Sequence, residues 1–337
     1  MSARKLDIYN HVLPRAVTDR MRELAPAKGD IVKRVTSIRM LNDIEARVAM
    51  MDQWPGYQQV LTLANPPIEA MAARPTRPVW RGSATTRCAR SARPGPTSFR
   101  LGWRRCRSTI SRRRSRRWTA RSRSARAASR SSPTSTASRL DEPEFLPIFE
   151  RAVAHHRVPI WMHPARSAAR RTIRRGEVQI RDLAGAGLAL RDQRRDGPAG
   201  VLGPARPVSG DGHHHPSSGA MIPYFEGRVG PLFDQLGSRT TDEDYTGLLK
   251  RMAKRPVEYF RMFYGDTAVG GSRAAIECGL NFFGPDKVLF ATDCPFDPEG
   301  GPMFIRDTIA AIDGLALSDV DRRKIYLDNA LRLMRLT

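Results

Sequence analysis

The side chains best suited to chemistry stand where short apolar runs end. His11 follows the run KLDIY, His163 follows VPIWM, and Asp293 follows KVLFAT. Such runs predict buried strands whose C-terminal ends open into loops. Imidazole nitrogens and a carboxylate suit a divalent metal such as zinc, and an open coordination position would activate water or polarise a substrate oxygen. We therefore predict a metal site formed by His11, His163 and Asp293.

Each of these residues also has an ordinary structural interpretation. A single histidine at a strand end is more often a hydrogen-bonded or surface residue than a ligand, and Asp293 could cap the turn that reaches Pro295. A further group of histidines, 213–215, precedes a glycine-bearing turn and an amphipathic helix. A solvated histidine-rich loop with adventitious metal affinity would have the same composition. The metal prediction rests on the shared position of the ligands at strand ends.

The surrounding sequence alternates between strand and helix patterns. Strand patterns occupy 5–9, 59–67, 158–165, 261–268 and 287–296, and helical spacing of apolar residues occupies 37–51, 141–156, 272–283 and 319–336. Ligand-type residues recur at the strand ends. This organisation is typical of a parallel α/β fold, in which the loops after the strands converge on one face.

Two arginine-rich segments interrupt this pattern. Residues 74–139 contain twenty arginines and no Lys, Asp or Glu, against a net charge of +23 for the chain, and residues 165–212 contain ten arginines and no aromatic residue. Three explanations fit this composition: a nucleic-acid-binding arm, a disordered basic insert, and translation of a GC-rich gene in the wrong reading frame. We favour the third, because neither segment has a period of 2 or 3.6 and both have abrupt edges. Both are expected to lack a packed core.

Six blocks, in this order, carry a family resemblance: LDIYNHVLP, VPIWMHPA, GAMIPYFEGR, FYGDTA, KVLFATDCPF and KIYLDNALRLM. Together they resemble the amidohydrolase-related family that includes aminocarboxymuconate semialdehyde decarboxylase and the aromatic-acid decarboxylases. The resemblance covers about 1–73, 140–164 and 216–337. It implies one domain over 1–337 with the fold of a (β/α)8 TIM-type barrel, disrupted at 74–139 and 165–212.

The resemblance also assigns roles to residues. It places metal ligands at His11, His163 and Asp293, and a catalytic histidine in the cluster 213–215, with His214 and His215 as candidates. Asp293 would act as a catalytic carboxylate as well. Tyr9 stands where many relatives have a further histidine, and no buried strand pattern leads into the histidine cluster.

The implied chemistry is non-oxidative decarboxylation of an aromatic or unsaturated carboxylic acid, with a divalent metal, zinc first and manganese second. A histidine would protonate the carbon that loses CO2, and Arg228 would bind the carboxylate through its planar fork. A surface arginine is the ordinary alternative for Arg228. A metal-dependent hydrolase of an ester, lactone or amide is the second interpretation, and a basic nucleic-acid-binding protein is a third. Because the two arginine-rich segments interrupt the fold pattern, we expect this chain to be catalytically impaired.

The composition argues against several other classes of protein. No run of 18 apolar residues occurs and the first residues are polar, so we expect a cytoplasmic protein without a membrane partner. The four cysteines form no CxxC pair, which argues against a zinc ribbon and a disulfide framework. The expected partner is a small carboxylic acid rather than nucleic acid, and the resemblance leaves room for a homodimer.

Overall fold

The computed structural model describes residues 3–24, 30–64, 99–100, 159–161, 213–214, 219, 221–235 and 248–336. They belong to two compact units. The first comprises Met1–Arg105, Thr267–Glu277 and Val288–Thr337, and the second comprises Cys106–Asp266 and Cys278–Lys287. The first unit is therefore built from both ends of the chain.

The first unit begins with alternating strands and helices. Its N-terminal elements are β1 (Lys5–Val12), α1 (Arg15–Leu24), α2 (Asp30–Ser37), α3 (Arg39–Asn42), α4 (Ile44–Met51), β2 (Tyr57–Leu63) and β3 (Phe99–Arg100). The three strands form a parallel sheet in the order β1-β2-β3. Strand β1 extends three residues beyond its predicted range 5–9, and β2 begins two residues before the predicted range 59–67 and ends at Leu63. Strand β3 lies within the arginine-rich segment 74–139. Most of that segment and all of 165–212 lie outside the described residues.

Strand β1 contains one extra residue relative to β2. Asp7 is opposite Gln59, whereas Asn10 is opposite Leu61, so three steps along β1 match two along β2. This is a β-bulge, a feature that bends a strand and re-aims its side chains. The Asn10 side chain donates to the carbonyl of Asp7 at 3.2 Å and to that of Val60 at 3.1 Å. The bulge is thus fixed by side-chain hydrogen bonds.

The C-terminal part of the chain adds further helices and a strand. Its elements in sequence are α8 (Arg273–Phe283), β7 (Val288–Leu289), α9 (Pro302–Asp313), α10 (Asp319–Arg323), a π-helix (Lys324–Asp328) and α11 (Asn329–Met334). The segment after β7 runs alongside β1. Ile8 N donates to Phe290 O at 3.1 Å, Asp293 N to Tyr9 O at 2.9 Å, and His11 N to Cys294 O at 2.7 Å.

Apolar side chains pack together where β1 and β2 end. A cluster of buried residues joins the end of β1 to the helices that follow it, with Ile38, Leu63 and Phe296 packed against it: Leu13, Val17, Met21, Val35, Leu41 and Ala64. Removing such side chains from water is the main favourable contribution to folding. It also places Phe296, from the far end of the chain, beside the loop that follows β1.

The second unit is described in fewer places. It contains β4 (Ile160–Trp161), β5 (His213–His214), α5 (Glu226–Phe233), α6 (Leu248–Arg251), α7 (Pro256–Phe260) and β6 (Gly265–Asp266). Strands β4 and β5 pair in parallel, Ile160 opposite His213 and Trp161 opposite His214. The sequence shows no strand pattern leading into the histidine cluster, yet His213 and His214 themselves form a strand whose backbone pairs with β4. The residues just before them lie outside the described residues.

The helix predicted over 37–51 is interrupted. Asp43 has an extended backbone, with φ −106° and ψ 98°, and its side chain accepts from Ala46 N at 3.0 Å. It therefore caps α4 and separates it from α3. The predicted helix 272–283 is confirmed as α8. The strands predicted over 261–268 and 287–296 are reduced to the two-residue β6 and β7, and the helix predicted over 141–156 lies outside the described residues.

The parallel α/β organisation is confirmed, whereas the described residues by themselves do not form a closed barrel. The strands of the described residues form open sheets of at most three members.

A buried arginine connects α4 to the sheet. Arg47 is fully buried. Its Nε donates to Gln59 Oε1 at 2.7 Å, its Nη2 to Asn10 Oδ1 at 3.0 Å, and its Nη1 to the carbonyl oxygens of His11 and Met40. All four acceptors are neutral. Four of the five N–H groups of the guanidinium therefore donate to protein acceptors in place of water.

We predict that Arg47→Met lowers the free energy of unfolding by about 3 kcal/mol, because several buried acceptors lose their donor at once. Arg39→Met is the matched control: Arg39 is exposed and pairs with Asp43 at the surface, so its loss should cost less than about 1 kcal/mol. Urea denaturation of both variants measures the difference. Equal costs would mean that the Arg47 network contributes little.

Candidate metal centre

His11 lies at the end of β1, just beyond the bulge. Its ring is almost fully buried, with 8% of the residue exposed. Nε2 is 3.0 Å from Asp293 Oδ1, and Nδ1 is 3.0 Å from the hydroxyl of Thr62. Two of the three predicted metal ligands are thus adjacent, although 282 residues separate them in sequence.

Asp293 reaches His11 because its backbone is left-handed, with φ 62°. This region is uncommon for residues other than glycine, and Asp and Asn adopt it more readily than most. The backbone N–H of Asp293 donates to Tyr9 O, which ties the turn to β1. A conformation of this kind persists only when the surroundings hold it, and such positions cluster at functional sites.

Aromatic rings surround the imidazole of His11. Tyr9 stands edge-on to it with ring centroids 4.7 Å apart, and Phe296 lies at 5.1 Å. Tyr9 occupies the position at which relatives were expected to have a histidine, and its side chain is buried. The His11 imidazole therefore packs against two aromatic rings, and Asp293 is the more open member of the pair, with 36% of its side chain exposed.

One cation near this pair was missed by the sequence reasoning. Arg34, on α2, places its guanidinium carbon 5.1 Å from the centre of the Phe296 ring and donates to Phe296 O at 3.2 Å. Because Phe296 also contacts His11, the exposed guanidinium belongs to the same surface region. Nothing in the local pattern of α2 distinguishes Arg34 from other surface arginines, so only the long-range contact reveals it.

Asp7 lies behind His11 in a buried hydrogen-bond network. Its Oδ2 accepts from the hydroxyls of Tyr57 and Thr292, each at 2.6 Å, and its Oδ1 accepts from Tyr9 N at 3.0 Å. Complete burial raises the pKa of Asp7 from 3.8 to about 6, although these hydrogen bonds and Arg47 act to lower it. Desolvation of the carboxylate outweighs the partners.

The other predicted site residues lie outside the described residues or in the second unit. His163 and His215 lie outside the described residues. His214 belongs to β5 in the second unit, where its backbone alone is described. Arg228 is exposed on α5 of the same unit. Within the described ranges no group of three or more His, Cys, Asp or Glu side chains could hold a metal ion. A complete ligand set thus needs a residue such as His163, and its role stays a prediction.

Sequence and fold comparisons identify what this architecture resembles. Residues 230–336 match the amidohydrolase family. No curated protein matches the chain. Solved structures that share the fold include 5-carboxyvanillate decarboxylase from Sphingomonas paucimobilis, at TM-score 0.68 and 19% identity, covering 100% of both chains.

Two further structures were determined with manganese. The 5-carboxyvanillate decarboxylase from Novosphingobium aromaticivorans DSM 12444, complexed with manganese and 4-hydroxy-3-methoxy-5-nitrobenzoic acid, has TM-score 0.69 and 17% identity, covering 99% of this chain and 97% of that one. A dihydroxybenzoic acid decarboxylase from Polaromonas sp. JS666, with manganese and 2-nitroresorcinol, has TM-score 0.64 and 20% identity, covering 99% and 98%.

The predicted resemblance to the amidohydrolase-related family is therefore confirmed. It holds in sequence for residues 230–336 and in fold for the chain aligned with these decarboxylases. Among the described residues, no helix is long and apolar enough to cross a membrane.

Asp7 predicts a pH-dependent stability. Its pKa is higher in the folded protein than in the unfolded chain, so the folded state binds the proton more tightly. The stability contributed by this group is therefore complete below about pH 4 and is lost as the pH rises through about 6, by about 3 kcal/mol in total. Carboxylates with lowered pKa, such as Asp43, act in the opposite direction.

The test compares unfolding by urea between about pH 4 and 7 for the protein and Asp7→Asn, whose carboxamide keeps the shape and cannot ionise. Relative to the unaltered protein, the variant should gain stability steadily as the pH rises. Parallel curves for the two proteins would show that Asp7 titrates alike in the folded and unfolded chain.

Proposed function

We propose that this chain is a metal-dependent, non-oxidative decarboxylase of an aromatic or unsaturated carboxylic acid, built on a (β/α)8 barrel. The observation that carries this proposal is the pairing of His11 Nε2, at the end of β1, with Asp293 Oδ1, in the segment that follows β7, at 3.0 Å. In parallel α/β enzymes the chemistry takes place at such strand ends. The fold shared with the manganese-containing decarboxylases supports the same assignment.

The donor atoms at this position fit a divalent metal. A neutral imidazole nitrogen and a carboxylate oxygen are ligands for zinc and manganese alike, and both are preorganised, His11 by burial and Asp293 by its tied left-handed turn. We propose His163 as the third ligand. When bound, the metal would supply positive charge next to the substrate's oxygen. Manganese in the compared structures makes it as strong a candidate as zinc.

The remaining steps fall to the protein's own side chains. Arg34 presents an exposed guanidinium beside Phe296, which suits a substrate carboxylate next to an aromatic ring. Arg228 is the second candidate for that role. His214 or His215 would deliver the proton to the carbon that loses CO2, provided that the histidine comes within hydrogen-bond reach. Tyr9 and Phe296 would shield the reacting atoms from water.

We predict that the chain binds one Mn²⁺ with higher affinity than Asp293→Asn does. Asparagine also adopts the left-handed backbone, so the variant removes the negative charge without straining the turn. A loss of about 10-fold or more is expected, because a charged oxygen ligand is replaced by a neutral one. Electron paramagnetic resonance of free Mn²⁺ measures the affinity. Asp319→Asn, at an exposed position of α10, is the control and should bind Mn²⁺ as the unaltered chain does.

Activity should depend on the two interrupting segments. With Mn²⁺ or Zn²⁺ and carboxylated phenols or carboxymuconate-type acids, we expect little CO2 release from the chain as written. A version with the reading frame restored across 74–139 and 165–212 should be active, because the proton donor must be held within about 1 Å of its working position.

The outcome separates the candidate functions. Release of CO2 by the restored chain, abolished by His163→Ala, supports the decarboxylase. Hydrolysis of phenyl esters or lactones without CO2 release would favour the hydrolase. Full turnover by the chain as written would show that the two segments are genuine parts of the enzyme. Failure to find an ordered strand and helix pattern in the alternative reading frames would count against the frame hypothesis.

A further inference from the structure

Both ring nitrogens of His11 have a polar neighbour. Nε2 faces Asp293, and Nδ1 lies 3.0 Å from Thr62 Oγ1. Tyr9 and Phe296 pack against the ring, which restricts its rotation. The distribution of protons between the two nitrogens therefore decides what the imidazole can bind.

The hydroxyl of Thr62 has a second, closer partner. Its Oγ1 lies 2.6 Å from the backbone carbonyl oxygen of Asn10, which can only accept a hydrogen bond. The single hydroxyl hydrogen therefore points at Asn10. Toward His11 the hydroxyl presents a lone pair, which can pair only with an N–H.

Asn10 is itself held in place by the hydrogen bonds of its side chain. Its side chain accepts from Arg47 and donates to the carbonyls of Asp7 and Val60. The carbonyl that orients Thr62 thus belongs to the most firmly bonded residue of the bulge. The direction of the Thr62 hydroxyl is consequently a property of the fold.

We propose that Thr62 is a positioning residue that holds neutral His11 in the tautomer protonated on Nδ1, leaving the lone pair of Nε2 available to a divalent metal. This inference rests on the proposed function, because it concerns the same metal site. It gives Thr62 a role that no feature of the sequence pattern assigned to it.

Asp293 acts against this tautomer when no metal is present. A carboxylate 3.0 Å from Nε2 accepts a hydrogen bond from Nε2–H, and that proton blocks metal binding. Without Thr62, neutral His11 would settle in the form protonated on Nε2. A metal would then have to displace the proton and reverse the tautomer. Removing partners of this kind typically lowers metal affinity by about 10–100-fold.

Three variants of the full chain separate the hydroxyl from the shape of the side chain. Thr62→Val keeps the shape and removes the hydroxyl, Thr62→Ser keeps the hydroxyl, and Thr18→Val removes a buried hydroxyl that bonds Asn42 away from His11. Mn²⁺ affinity is measured by electron paramagnetic resonance. We expect Thr62→Val to lose about 10–100-fold, with Thr62→Ser and Thr18→Val close to the unaltered chain.

A second measurement reads the tautomer directly. In metal-free protein labelled with ¹⁵N in histidine, above about pH 8 where imidazole is neutral, long-range ¹H–¹⁵N correlations distinguish the protonated nitrogen. The His11 signals are those lost in His11→Gln. Nδ1 should carry the proton in the unaltered chain and in Thr62→Ser, and Nε2 should carry it in Thr62→Val.

Each outcome bears on one of the two proposals. Unchanged affinity in Thr62→Val, equal losses in the valine and serine variants, or protonation of Nε2 in the unaltered chain overturns the role of Thr62. Absence of Mn²⁺ binding, or binding unaffected by Asp293→Asn, refutes the metal site, while the tautomer measurement still decides on Thr62. If circular dichroism shows Thr62→Val to be unfolded, the spectra of the unaltered chain and Thr62→Ser decide.

Discussion

The burial of the Arg47 guanidinium is the constraint on which the rest of the first unit depends. A charge removed from water must find hydrogen-bond partners or destabilise the fold, and Arg47 finds four neutral ones on three different elements. Because one of them is the carbonyl of His11 and another is the side chain of Asn10, satisfying the arginine also fixes the end of β1. The same hydrogen bonds therefore stabilise the fold and position the candidate ligand His11.

Two backbone irregularities meet at this position. The bulge in β1 turns His11 toward the turn after β7, and the left-handed Asp293 turns its carboxylate toward His11. Neither feature is favourable alone. Hydrogen bonds between the two segments hold them together, since Asp293 N donates to Tyr9 O and the Thr292 hydroxyl donates to Asp7. Reciprocal support of this kind is how a fold maintains local strain where chemistry needs it.

The assembly of the first unit from both chain ends explains how half of a site can form in this sequence. Its described elements come from residues before 106 and after 266, whereas the arginine-rich pattern occupies 74–139 and 165–212. His11 and Asp293 therefore depend on sequence with ordinary strand and helix patterns. The residues proposed to complete the chemistry, His163 and the histidines at 213–215, come from the stretches next to the interruptions.

The sequence by itself determined the features that arise from local periodicity and from strand order. Apolar runs identified β1 and β2, helical spacing identified α8, and ligand-type residues at strand ends singled out His11 and Asp293, which the structure then placed in contact. Parallel strands bring their C-terminal ends to one edge, so their proximity followed from the pattern. Asp43 divides the predicted helix by a local contact, since its side chain accepts from Ala46 N three residues on. Tertiary structure alone decided that Arg47 is buried and that Arg34 stacks on Phe296. It also decided which way the Thr62 hydroxyl points. These depend on hydrogen bonds and ring contacts between residues distant in sequence, and a single arginine or threonine carries no local sign of the acceptor that the fold will bring to it.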